Sequence, residues 1–197
     1  MSHEYPPLVL ASSSPFRREL LGRLGLQFLC DSPDIDESRQ PDEPAEALVQ
    51  RLALEKARAV AVRQPGALII GSAQVAVLED GSILGKPGSA EKAMQQLQQA
   101  SGGSVTFLTG LCLYNAASGQ HQLCCEPFRV HFRQLSGQAI ESYIKKEQPL
   151  NCAGSFKSEG LGITLFRRLE GDDPNALIGL PLIRLTDMLA RERIALP

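Results

Sequence analysis

The chain has 197 residues, 43% of them hydrophobic and 21% charged, with a net charge of −2. That is enough for one domain or two small lobes with a real core. The small charge, with Arg and Lys spread along the chain, excludes a nucleic-acid or membrane-surface binder working by bulk electrostatics, so any phosphate binding must be local. The N-terminus, Met1-Ser2-His3-Glu4-Tyr5-Pro6-Pro7, has neither the basic segment nor the apolar run of a signal peptide. No later stretch is long and apolar enough to span a bilayer, and a cytoplasmic location is expected. Five cysteines, Cys30, Cys112, Cys124, Cys125 and Cys152, make an odd count without metal or redox spacing and read as free thiols.

In chain order, Leu8 to Ala11 reads as a short strand. It runs into Ser12-Ser13-Ser14-Pro15-Phe16-Arg17-Arg18, with Ser14 as N-cap and Pro15 in the first helical position. Leu20, Leu21 and Leu24 give that helix its apolar face, and Gly25 ends it. A strand follows over 27–30. The acidic stretch from Asp31 to Pro44 contains three prolines and is a loop. A helix runs from about Pro44 to Arg63. Leu68-Ile69-Ile70 reads as a buried strand ending in the polar tetrapeptide Gly71-Ser72-Ala73-Gln74, with Val75 to Leu78 continuing it or turning into a hairpin at Glu79-Asp80-Gly81. Ser89 caps a helix through Gln99. Ser104 to Asn115 and His121 to Phe132 alternate well enough to form a hairpin. Ser136 caps a helix to about Glu147, Gly154 to Gly162 is glycine-rich and polar, and a helix after Pro181 ends the chain. Strands and helices alternate in the first half. With the central hairpin, this predicts an α/β fold with helices packed on a mixed sheet.

Two features suggest a pocket for a phosphorylated small molecule. A strand feeding a helix that opens with serines and arginines is an anion site, because free backbone N–H groups and guanidinium groups converge there. In the 44–63 helix, Ala45, Leu48, Val49, Leu52, Ala59 and Val60 recur at helical spacing, and Lys56 falls on the same inward stripe. A lysine facing a sheet needs an anion or a route to water. Lys86, between Gly85 and Pro87, is weaker evidence for a pocket rim. Asp34, Asp36 and Glu37 could supply a metal ligand, although a solvated acidic loop explains each of them singly. Glu159 is a further carboxylate, equally readable as an exposed loop charge.

Taken together, these segments resemble the Maf family of nucleoside-triphosphate pyrophosphatases. The matching pieces are Ala11-Ser12-Ser13-Ser14-Pro15-Phe16-Arg17-Arg18-Glu19-Leu20-Leu21, Asp36-Glu37, Glu55-Lys56-Ala57, Ile70-Gly71-Ser72, Gly85-Lys86-Pro87 and Gly154-Ser155-Phe156-Lys157-Ser158-Glu159-Gly160. Gly-Ser-x-Gln at 71–74, with Ser-Phe-Lys-Ser-Glu-Gly at 155–160, looks like the branch that hydrolyses 7-methyl-GTP. The resemblance implies one Maf/ITPase-like domain over 1–197. It would have an elongated mixed sheet flanked by helices and two lobes around a central nucleotide cleft, often as a homodimer. It implies that Ser12, Arg17, Lys56 and Lys86 hold the triphosphate and that Glu37 helps hold Mg²⁺ or Mn²⁺. Phe16, Gln74 and Glu159 would set base choice. An aromatic face attracts the cationic 7-methylguanine, and a carboxylate accepts from its N1 and N2 donors.

The departure is Ala73, where the family has an Asp thought to act as general base and to help hold metal. One mute position among intact motifs is the pattern of a deliberate change made to trap a ligand, and it predicts a chain that binds nucleotide but turns it over slowly. A naturally inactive homologue is the alternative origin. The rival functions are a non-catalytic nucleotide-binding regulator of cell division and a pyrophosphatase with another base preference, such as dTTP, UTP or ITP.

Overall fold

The computed structural model describes residues 5–194 and 196. The first four residues, His3 among them, lie outside the described residues, as do Ala195 and Pro197. Strand β1 is Leu8–Ala11, buried at every position. It feeds α1, Pro15–Gly22, whose Ser14 hydroxyl accepts from the Arg17 N–H at 3.4 Å, with Pro15 opening the helix. β2 is only Leu29–Cys30. Then come α2 (Ala45–Ala61), β3 (Leu68–Leu78), β4 (Ile83–Leu84) and α3 (Ala90–Ala100). The hairpin of β5 (Ser104–Asn115) and β6 (His121–Phe132) leads to α4 (Gly137–Glu147). Two 3-10 turns, Ala153–Ser155 and Leu161–Leu165, precede β7 (Phe166–Glu170), α5 (Pro174–Ile178) and α6 (Leu182–Arg191).

The strands form one mixed seven-stranded sheet in the order β2-β1-β3-β5-β6-β7, with β4 paired to β3. β1 runs parallel to β2 and to β3, with Leu8 opposite Leu68 and Ala11 opposite Gly71. β4 pairs antiparallel with β3, and β7 pairs antiparallel with β6. The sheet is therefore the mixed α/β arrangement expected. Of the two alternatives left open for Val75 to Leu78, the structure takes continuation: the strand does not stop at Ile70. β3 passes through Gly71-Ser72-Ala73-Gln74 to Leu78, so these residues sit in mid-strand.

The chain divides into two compact units: residues 1–73, 109–126 and 179–197, and residues 74–108 and 127–178. In the first, α2 packs on the sheet through Val9, Ala11, Ala53, Ala57, Val60, Ala67, Ile69 and Cys112. The approach is close enough to demand glycine. A Cβ on Gly71 would stand 2.0 Å from the Ala53 carbonyl oxygen, and one on Gly110 would stand 2.1 Å from that of Val49. The second unit is built on phenylalanines. Phe156 meets Phe107, Phe132 and Phe166 edge-on with centroids 5.0, 5.7 and 4.7 Å away, geometry that favours aromatic pairs. Residues of α3 and α4 (Leu97, Ile140, Tyr143 and Ile144) complete that core.

Candidate functional site

In the first unit the chemistry collects around Lys56. The side chain is on the inward stripe, 9% exposed, and its ammonium donates to Glu37 Oε2 at 2.7 Å. Glu37 comes from the acidic loop and is itself 58% exposed, so the pair has one buried cation and one accessible anion. Arg17 shares this environment: burial works against its charge, and the Glu37 carboxylate works for it. Arg17 is the inward member of the arginine pair and Arg18 is exposed. The Arg17 Nε–H donates to the Gly179 carbonyl at 2.8 Å, and the Ser72 hydroxyl donates to the same oxygen at 2.9 Å. Gly179 has φ +122, and a Cβ there would press on the Arg17 guanidinium at 3.3 Å. A backbone carbonyl thus holds Nε of Arg17 in place, a role that left no trace in the sequence beyond a glycine ahead of Pro181. Ser12 is buried at the end of β1, its hydroxyl accepting from the Ser14 N–H at 3.1 Å. Phe16, in the first turn of α1, is half-buried.

Two cations beside one carboxylate can hold a polyanion, with arginine supplying a planar fork and lysine a compact charge. The neighbouring acids do other work. Asp36 accepts from the N–H and hydroxyl of Ser38. Glu43 takes a paired contact from Arg51 at 2.6 and 2.9 Å, which holds its carboxyl down to about 2.

Ala73 is 2% exposed. Side chains alternate along a strand, so it lies on the same face as Gly71, the face covered by α2. It offers no proton acceptor. Among the described residues no group of three His, Cys, Asp or Glu side chains could hold a metal ion. Glu37 brings one carboxylate to this cluster. That donor set suits a hard cation that takes its remaining oxygens from phosphate and water, as Mg²⁺ commonly does.

In the second unit, the Gln74 amide nitrogen donates to the carbonyls of Ala176 and Leu177 at 2.7 and 3.1 Å, which ties β3 to α5. Lys86 is exposed. Lys86, Lys157, Glu159 and Glu147 all lie close enough to Cys152 for their charges to act on its thiol, which burial pushes upward.

The segment 154–162, glycine-rich in sequence, is a tightly held turn. Gly154 has φ +70, and a Cβ on it would stand 3.0 Å from the Phe107 ring. Ser155 also has positive φ, and its buried hydroxyl donates to Gln96 Oε1. Phe156 is core, and the Lys157 N–H donates to the Tyr143 hydroxyl at 3.0 Å. The Lys157 ammonium donates to the Glu147 carbonyl at 2.9 Å, a cation capping the C-terminal end of α4. Lys157 therefore serves the fold, while Glu159 is exposed and accepts from the Ser158 hydroxyl at 3.3 Å.

Fold and cluster together define an α/β protein with a charged site at a strand–helix junction. The chain belongs to the Maf family: residues 7–192 match the family described as Maf-like protein. It is 62% identical over 192 residues to a 7-methyl-GTP pyrophosphatase of Pseudomonas savastanoi pv. phaseolicola, covering 98% of this chain and 100% of that one. It is 60% identical over 197 residues to a 7-methyl-GTP pyrophosphatase of Alcanivorax borkumensis, covering 100% of both. Among solved structures, a HAM1 protein from Coxiella burnetii aligns with 66% of this chain and 74% of its own at 16% identity, with a TM-score of 0.49. Among the described residues no helix is long and apolar enough to cross a membrane.

Proposed function

We propose that this Maf-family chain is a nucleotide pyrophosphatase by descent, that its substrate is 7-methyl-GTP, and that Ala73 leaves it able to bind nucleotide but slow to cleave it. The observation that carries the reading is the buried Lys56 ammonium with Glu37 and Arg17 beside it. Two cations next to a carboxylate that reaches solvent form a setting suited to the oxygens of a triphosphate. The names of the two relatives supply the nucleotide.

In the reaction a water oxygen attacks the α-phosphorus. The bond from that phosphorus to the bridging oxygen breaks, and pyrophosphate leaves from the nucleoside monophosphate. Arg17 and Lys56, with Ser12 and Lys86, stabilise charge on the phosphates and on the leaving group. When bound, Mg²⁺ or Mn²⁺ would supply further charge neutralisation on phosphate oxygens, with Glu37 as its protein ligand. Phe16 and Glu159, with Gln74, favour a cationic purine. Position 73 lies on the α2 face, where an Asp would take the water's proton. Loss of a general base costs about 10²–10⁴-fold.

Ala73 also favours a second reading, a nucleotide-binding regulator without turnover. Pyrophosphate release separates the two. The Ala73→Asp protein and the chain as it stands are compared on 7-methyl-GTP, GTP, dTTP, UTP and ITP with Mg²⁺ or Mn²⁺. The pyrophosphatase reading expects a gain of about 10²-fold or more, chiefly on 7-methyl-GTP. A folded Ala73→Asp protein inactive on every nucleotide would favour the regulator.

A further inference from the structure

We propose that Glu147, at the C-terminal end of α4, is a positioning residue for base selection. Its carboxylate holds the 157–162 turn in the shape that presents Ser158 and Glu159. The proposal rests on the role given above to Glu159 and names the residue that makes that role possible.

The turn is tied from both sides. From within, the N–H groups of Gly160 and Gly162 both reach the Lys157 carbonyl, at 3.3 and 3.1 Å. A Cβ on Gly162 would stand 2.2 Å from that oxygen, so only glycine closes the turn this tightly. From outside, Glu147 Oε2 accepts the Leu161 N–H at 2.8 Å, and Oε1 lies 3.6 Å from the Lys157 ammonium. The carboxylate also lies flat against Gly160, where a Cβ would come within 2.8 Å of both its oxygens. One side chain thus touches the first, fourth and fifth residues of the turn, on either side of the exposed Glu159.

Glu147 is 17% exposed and Lys157 25%, so the contacts are shielded enough to hold a geometry. An ion pair alone on an exposed turn would contribute little. Here the acceptor is charged, the donor is a backbone N–H, and the frame behind it is the end of a packed helix, a combination that fixes position. Without Glu147 the Leu161 N–H loses its acceptor. The turn keeps its inner bonds but loses the brace that sets where Glu159 stands. A misplacement of about 1 Å in a recognition group can cost up to about 10²-fold.

The test uses the chain as it stands, titrated without divalent metal so that ligand is not consumed. Calorimetry measures affinity for 7-methyl-GTP, dTTP and inorganic tripolyphosphate. The unsubstituted chain is expected to prefer 7-methyl-GTP to dTTP. Glu147→Ala is expected to cut that preference about tenfold and leave tripolyphosphate affinity unchanged. Glu147→Gln is expected to restore most of it, because the amide carbonyl still accepts from Leu161. A folded Glu147→Ala protein that keeps the full preference overturns the proposal. So does one that loses tripolyphosphate in the same proportion, since that reports general damage. If the alanine protein does not fold, Glu147→Asp decides: its reach is one methylene short, and full preference there overturns the proposal. No preference in the unsubstituted chain overturns the base-selection reading itself, before position 147 is touched.

Discussion

The two units hold their functional residues by opposite means. In the first, charge holds charge: Glu37 neutralises Lys56, acts on Arg17, and leaves a polar cluster that packing alone would not tolerate. In the second, packing holds the turn. Gly154 and Phe156 are buried in an aromatic core, and Glu147 and Lys157 brace what emerges from it. A site held by charge is disposed to exchange one anion for another. A site held by packing is disposed to present a fixed shape. On the reading proposed above, Lys56 and Arg17 would draw on the first property and Glu159 on the second.

The largest expected effect breaks the packed side. Phe156→Ala removes the ring that meets three others and is expected to destabilise the protein by about 3–5 kcal/mol. Urea unfolding measures the loss, and hydrogen exchange should show it first in α3, α4 and β7. A loss below about 1 kcal/mol would mean that the turn does not depend on the aromatic core. The charged side should respond differently. Lys56→Met is expected to lower tripolyphosphate affinity by about 10–100-fold. It should leave the melting temperature unchanged or raised, because an apolar side chain removes a buried charge whose partner can return to water. A fall in both would make Lys56 a structural residue.

The smallest effect concerns pH. Arg51 holds Glu43 down to about 2, below the ordinary carboxylate range. A depressed folded-state pKa adds stability above the unfolded value and loses it as pH falls through the folded one. Glu43→Gln should therefore lower the melting temperature by a few degrees at neutral pH, and the difference should vanish as pH drops toward about 2. A difference that persists there would come from something other than the ion pair.

Much of this was legible in the sequence because local rules and tertiary structure agree. Ser14, Ser89 and Ser136 cap their helices as their positions suggested, each accepting from the N–H three residues on. The hairpin of β5 and β6 has the expected bounds. Lys56 was findable because helical spacing put a charge on an inward stripe, where it needs an anion or a route to water. What stayed hidden lacked a local signature. β7 is Phe-Arg-Arg-Leu-Glu, exposed after its first residue, and reads as a charged surface segment rather than the protected edge strand it is. Ser72 looked like the end of a strand because the apolar run Leu68-Ile69-Ile70 stops just before it. It lies in mid-strand because the Gly179 carbonyl, distant in sequence, accepts its hydroxyl. Glu147 looked like an ordinary helix-end acid, and its value comes from a turn that begins ten residues later.

The division of labour is tested most directly by one calorimetric series. 7-Methyl-GTP, dTTP and tripolyphosphate are titrated into the chain as it stands, its Lys56→Met form and its Glu147→Ala form. The account predicts that Lys56→Met weakens all three ligands together and that Glu147→Ala erodes only the preference for 7-methyl-GTP. It is contradicted if Lys56→Met spares tripolyphosphate, or if Glu147→Ala weakens all three alike.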